Sequence, residues 1–206
     1  MTRISRTTLL LRALLLAVPL LTAAATFQFT FTNPAIGSNR ALFVLEYFSM
    51  AECSPCRRFE LSTLPSIQSL LDQGELRIVF RDLPSEPSSL PFSRQLFCLQ
   101  EYSDFLDRRL QAKRSEAFDW GSLPRLSGLH KARHEQCLNQ PAADAVHAVN
   151  QSDFDKRQLT GTPAFSLSYV HQDGVAQTHW SGPTSTIRLQ SQLHQLKASV
   201  SHSESR

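Results

Sequence analysis

Cys53 and Cys56 stand three positions apart in the run Cys53-Ser54-Pro55-Cys56. Two thiols at that spacing can close into a disulfide or supply half of a tetrahedral metal site. The metal reading needs a second ligand pair at close spacing, and Cys98 and Cys137 offer no second C-x-x-C. His130 and His134 stand at i, i+4, but no third ligand accompanies them and they read as solvated histidines. The sequence thus nominates no metal ligands and calls for no cofactor. Glu46, seven positions before Cys53, is the one acid in an apolar run, where an unpaired charge is costly. It reads either as a buried acid that exchanges the Cys56 proton or as a strand-end glutamate reaching solvent. Glu52, directly before Cys53, would oppose thiolate formation if it acted, and otherwise reads as a solvated side chain. No glycine-rich phosphate loop and no Ser/His/Asp set stands out.

The elements that must position these residues follow from periodicity. Residues 26–32 alternate with Phe27, Phe29 and Phe31 on one face, the pattern of a half-buried strand, and Asn33-Pro34 with Gly37-Ser38 then marks a turn. Residues 41–48 are almost continuously apolar, as in a central strand covered on both faces. A helix follows over residues 54–71, with Pro65 expected to kink or divide it and Gly74 to end it. Residues 76–81 complete a β-α-β unit with a right-handed crossover. Cys53 therefore sits at a helix N-terminus. Unpaired backbone N–H groups and the positive end of the helix dipole favour its thiolate there. Cys53 is the expected attacked sulfur, and Cys56, one turn in, the buried partner.

Residues 83–91 are proline-rich and mark a boundary, and no good strand appears from there to about residue 159. Helical patterns run over 92–113, 122–128, 130–139 and 141–155. Gly161-Thr162-Pro163 breaks them. Strands at 164–170 and 175–180 joined by Gln172-Asp173-Gly174 read as a hairpin. A closing helix over 184–200 turns Ile187, Leu193, Leu196 and Val200 towards the core, and Trp120 and Trp180 read as core or rim aromatics. The fold class is α/β, with the middle helices inserted into a sheet domain. The expected divisions are residues 1–25, 26–87, 88–159 and 160–206.

The chain has 206 residues and a formal net charge of +3. Arg3, Arg6 and Arg12 carry the whole excess, so the rest is formally neutral and nothing points to nucleic acid. Those arginines precede a short apolar run and Ala23-Ala24-Ala25, the pattern of a cleavable signal peptide ending at Ala25. The run is shorter than the about 20 residues a membrane span needs, which leaves an uncleaved anchor as the alternative. Export places the four cysteines in a compartment where disulfides persist.

Glu46-Tyr47-Phe48-Ser49 leading into Cys53-Ser54-Pro55-Cys56 resembles the thioredoxin superfamily, and Gly161-Thr162-Pro163-Ala164 resembles its cis-proline loop. With helices inserted between these motifs, the chain resembles the periplasmic thiol–disulfide oxidoreductases of the DsbA kind, and in its threonine-proline loop and second cysteine pair those of the DsbC and DsbG kind. The resemblance covers most of the chain after residue 25. It implies a thioredoxin-like fold with a mixed sheet, a redox-active Cys53–Cys56 pair, and a cis Thr162-Pro163 bond. Thr162 and Pro163 would then contact the client backbone and the Cys53 sulfur. It implies a structural disulfide between Cys98 and Cys137, the alternatives being two buried free thiols or a second redox relay. The buried acid of these families stands six positions before the first cysteine, and here that position holds Tyr47.

The function expected is disulfide exchange with cysteines of other exported proteins, as a periplasmic monomer recycled by a membrane redox partner. Oxidation leads over reduction or isomerisation, because the dimerisation domain of the DsbC and DsbG kind does not fit in the residues before Cys53. The reading from another class is a thioredoxin-like binding module whose C-x-x-C captures copper or is a static disulfide.

Overall fold

The computed structural model describes residues 32–84, 90–101, 104–114 and 128–203, all within one compact unit. Strand β1 (Ala35–Gly37) and strand β2 (Phe43–Ser49) come first. A broken helix follows: α1 (Ser54–Arg58), a π-helical turn (Phe59–Thr63), α2 (Leu64–Ser66) and α3 (Gln68–Asp72). After β3 (Leu76–Asp82) come α4 (Leu90–Cys98), a 3₁₀ turn (Leu99–Glu101) and α5 (Phe105–Arg114). Helices α6 (Gly128–Leu138) and α7 (Pro141–Lys156) lead to β4 (Ala164–His171), β5 (Gly174–Ser181) and α8 (Thr186–Ser203).

The five strands form one mixed sheet in the order β1-β3-β2-β4-β5. Strands β2 and β3 are parallel and every other pair is antiparallel. This is the α/β architecture the sequence implied. Because side chains alternate along a strand, β2 serves both faces. Leu45 and Tyr47 pack with Cys56, Phe59, Leu64, Leu189 and Leu193 in the main core, under α1–α3 and α8. Phe48 on the other face packs with Ala164, Leu159 and Phe154, under α7. Helix α7, inside the span expected as an insertion, thus lies directly on the sheet.

Pro65 divides the helix by two departures. It has no N–H, and its ring would crowd the carbonyl four residues back. The turn before it widens, so that the Leu64 N–H reaches the Phe59 carbonyl in the i→i+5 pattern. Ile67, just after it, leaves the helical region at φ −109° and ψ 10°.

Three expectations are corrected. The first described strand is Ala35–Gly37, inside the stretch read as a turn, while residues 26–31 of the expected strand lie outside the described residues. Three residues are too few to show alternation; pairing with β3 creates this edge strand, and the Phe80 N–H donates to the Pro34 carbonyl at 2.8 Å. Gly37 is needed there, because its φ is +89° and a Cβ would meet the Leu76 carbonyl oxygen. In α8, Ile187 is 79% exposed rather than turned to the core, and Leu189 is fully buried in its place. The helix starts at Thr186, two residues later than expected, and tertiary packing sets which stripe faces inward. His134 is buried rather than solvated, and burial lowers its pKa. The helical piece expected at residues 122–128 lies outside the described residues but for Gly128.

Candidate active site

Strand β2 delivers its chain end into a tight turn. The Cys53 N–H donates to the Met50 carbonyl at 3.3 Å, and Cys53 becomes the N-cap of α1 in an extended conformation. Its sulfur accepts the Cys56 N–H at 3.1 Å, so a thiolate formed there meets a helix N-terminus that already aims a donor at it. Pro55 lies in the first turn, where its missing N–H costs nothing. Cys53 and Cys56 form a disulfide with Cα atoms 5.2 Å apart. Cys56 is fully buried and Cys53 is half-buried, so only the first sulfur is open to attack.

The Thr162-Pro163 peptide bond is cis. Ala164, next in the chain, pairs with Phe48 of β2, so this loop lies at the end of the sheet where β2 leads towards Cys53. Gly182 N–H donates to the Pro163 carbonyl at 2.8 Å and holds the loop against the end of β5. The Thr162 hydroxyl is buried and has no hydrogen-bond partner among the described residues. Trp180 stacks on Phe165 at 5.1 Å and Phe165 on Tyr47 at 5.5 Å, an aromatic row across three strands that ends beside Cys56.

Glu46 is not in this site. Its side chain leaves β2 on the face opposite Tyr47 and pairs with Arg81 and Arg157, both of which also lie over the Phe48 ring. Burial would raise its pKa, but the two guanidiniums hold it below the usual carboxylate range. With Tyr47 packed on the redox helix, strand alternation puts Glu46 on the other face, since a residue an odd number of positions from Tyr47 cannot share its face. The assignment of Glu46 as the acid serving Cys56 is therefore corrected. Glu52 is exposed.

Beneath the cysteine turn lies a set of buried charges. Arg109 of α5 is fully buried and donates to both carboxylates near it. It reaches Glu60 at 3.0 Å through Nε and Nη2, and Asp82 at 2.7 Å through Nη1 and Nη2. It also donates to Ser49 Oγ, which itself donates to Asp82, and it lies 4.6 Å from the centre of the Phe80 ring. Lys113, one turn along α5, is fully buried and donates to the carbonyls of Met50 and Ala51 at 3.1 and 3.2 Å. The Lys113 ammonium is 3.7 Å from Glu60 Oε1. Tyr47 lies with its hydroxyl 3.1 Å from Glu60 Oε1 and 3.2 Å from the Cys56 carbonyl, one proton serving both acceptors.

Two cations and two carboxylates balance, as buried charge must. Burial would raise the Asp82 pKa, but the Arg109 charge holds it down. Burial depresses the Arg109 pKa less than Asp82 and Glu60 raise it, so it stays well above its ordinary value. Burial, and then the Glu60 charge, push the Tyr47 hydroxyl well above its ordinary pKa. The sequence reading missed this network. Glu60 carried a signal, one helical turn beyond Cys56, and Asp82 closes an apolar strand. Arg109 and Lys113 carried none, because they stand among other basic residues in a polar helix.

The second cysteine pair lies apart from this site. Cys98 at the end of α4 and Cys137 near the end of α6 form a disulfide, both buried, with Cα atoms 5.8 Å apart. Among the described residues no cluster of His, Cys, Asp and Glu could hold a metal ion, and no helix is long and apolar enough to cross a membrane.

The family model described as thioredoxin matches residues 30–175, which takes in the C-x-x-C and the cis-proline loop. The chain belongs to the thioredoxin family. Within it, the solved structures it is similar to include Wolbachia pipientis alpha-DsbA1, at 18% identity and TM-score 0.59 over 85% of this chain and 95% of that one. Pseudomonas aeruginosa DsbA2 is similar at 19% identity and TM-score 0.60, over 77% of this chain and 91% of that one. Chlamydia trachomatis DsbA is similar at 21% identity and TM-score 0.56, over 83% and 96%. At such identities the likeness is one of fold: a DsbA-like thioredoxin domain with helices set into it. No curated protein matches the sequence.

Proposed function

We propose that this thioredoxin-family protein is an exported thiol–disulfide oxidoreductase that oxidises cysteines of other exported proteins. The carrying observation is the asymmetry of the pair: a half-buried Cys53 at a helix N-terminus bonded to a fully buried Cys56. A client thiolate attacks Cys53 Sγ, forming a mixed disulfide and releasing Cys56 as a thiolate. The client's second thiolate then attacks the client sulfur bonded to Cys53, which forms the client disulfide and releases Cys53 as a thiolate. Two electrons and two protons pass from the client dithiol to the Cys53–Cys56 pair. Thr162 and Pro163 are the proposed client contacts, at the sheet end where β2 leads towards the pair.

Recycling needs an oxidant for the reduced pair, proposed to be a membrane redox partner, and the protein is proposed to act in the periplasm as a monomer after cleavage at Ala25. The Cys98–Cys137 disulfide, buried between α4 and α6, is proposed as structural. The DsbA-like similarity of fold supports oxidation as the direction.

The test is the reduction potential of the pair together with exchange kinetics. A potential close to the about −120 mV of DsbA supports the oxidase, and one close to the about −270 mV of thioredoxin points to reduction. Cys53→Ser must abolish exchange with a model dithiol; retained exchange sinks the assignment.

A further inference from the structure

The helical insertion places a buried cation against the cysteine turn. Lys113 Nζ donates to the Met50 carbonyl oxygen, the same oxygen that accepts the Cys53 N–H, and to the Ala51 carbonyl. The ammonium and the amide of the attacked cysteine thus share one acceptor. Neither carbonyl carries a formal charge, and the side chain is fully buried, where solvent screens its field poorly.

Resting on the exchange reading above, we propose that Lys113 is a positioning residue of the redox pair, which holds the Met50–Ala51 turn and favours the Cys53 thiolate over the disulfide. The charge it acts on exists in one redox state only. In the disulfide Cys53 is neutral, and in the reduced protein its thiolate is an anion at the neighbouring N-cap. A fixed cation that stabilises the thiolate alone makes the disulfide more oxidising. By this route the insertion, through α5, biases the direction in which a thioredoxin-like sheet exchanges disulfides.

The other charges that act on Lys113 have defined places. Arg109 carries one positive charge against the two carboxylates of Glu60 and Asp82, so Lys113 is the second cation of a balanced set and Glu60 draws part of its field. Glu52 also acts on Lys113, and its side chain is exposed to solvent screening. Burial lowers the Lys113 pKa and Glu60 opposes that shift.

Three variants of the full chain test the role, read by thiolate absorbance against pH and by equilibration with glutathione. Lys113→Met is expected to raise the Cys53 pKa by about one unit and to shift the equilibrium about tenfold towards the disulfide, about 30 mV for a two-electron couple. Lys113→Arg is expected to restore most of both. Glu60→Gln, which removes the anion beside the ammonium, is expected to move both in the opposite direction.

A peg that merely holds the turn would change stability and leave the Cys53 titration where it was; that result in a folded Lys113→Met protein overturns the proposal. Should Lys113→Met fail to fold, an unchanged or raised Cys53 pKa in folded Glu60→Gln overturns it equally. Failure of the exchange reading shows separately, as an unmodified protein that does not exchange disulfides.

Discussion

The Tyr47 hydroxyl lies 3.2 Å from the carbonyl oxygen of Cys56 and 3.1 Å from Glu60 Oε1, so one side chain joins the redox helix to the buried charges beneath it. Glu46, its neighbour in the chain, is bonded to Arg81 and Arg157 across the sheet. The position six residues before the first cysteine, where related families keep an acid, here holds a phenol that donates to one.

Tyr47→Phe removes that proton and keeps the ring, which packs on Phe59 and Phe165. Glu60 retains Arg109 and Lys113. The variant is expected to lose about 1.5–3 kcal/mol in urea unfolding, the cost of one buried hydrogen bond to a charged group. A loss above about 4 kcal/mol would mean that the ring packing had been disturbed.

Acid should destabilise the protein through Asp82 and Glu46, whose folded pKa values are both lowered. A depressed carboxylate pKa stabilises the fold above the unfolded value, about 3.9 for Asp and 4.3 for Glu. That stability is lost as pH falls through the folded pKa. Unfolding free energies should be flat from about pH 7 to 5 with respect to these groups and fall steeply below about pH 4. Asp82→Asn should be less stable at pH 7 and show a shallower acid slope. An unaltered slope in that variant would remove Asp82 from the account.

The Cys98–Cys137 disulfide spans a sequence separation of 39. On the chain-entropy model a loop of that size contributes about 4 kcal/mol. Replacing both cysteines by serine should lower the melting temperature and leave the Cys53–Cys56 potential within measurement error. A changed potential would show that the second disulfide serves the active site.

Leu189→Ala is expected to cost about 2–5 kcal/mol, as at other fully buried leucines, whereas Ile187→Ala should stay within about 0.5 kcal/mol. A larger loss at Ile187 than at Leu189 would mean that α8 docks in the register its N-terminal sequence suggested.

Much of this protein is legible in its amino-acid sequence. The apolar run before Cys53, the helical run after it and the hairpin at Gln172-Asp173-Gly174 all appear as elements, and the C-x-x-C at a strand-to-helix junction located the redox pair. These are local signals, since a strand covered on both faces, a helix N-terminus and a tight turn each leave marks within a few residues. The edge strand Ala35–Gly37 left no such mark, because three residues cannot show alternation and its ladder forms with the distant β3.

The sequence by itself determined the fold class, the chemistry of Cys53 and Cys56, and where the excess charge lies. Tertiary structure alone decided which charged residues meet beneath them. Glu60, Asp82, Arg109 and Lys113 come from three separate stretches of chain, and in sequence each looks like an ordinary polar residue. A buried charge is tolerable only beside its opposite, and whether that partner is present depends on the docking of α5 on the sheet, which local sequence does not encode. The same holds for Glu46. The apolar run around it left open whether it is buried or reaches solvent, and its distance from Cys56 follows only from knowing which face of β2 the redox helix covers.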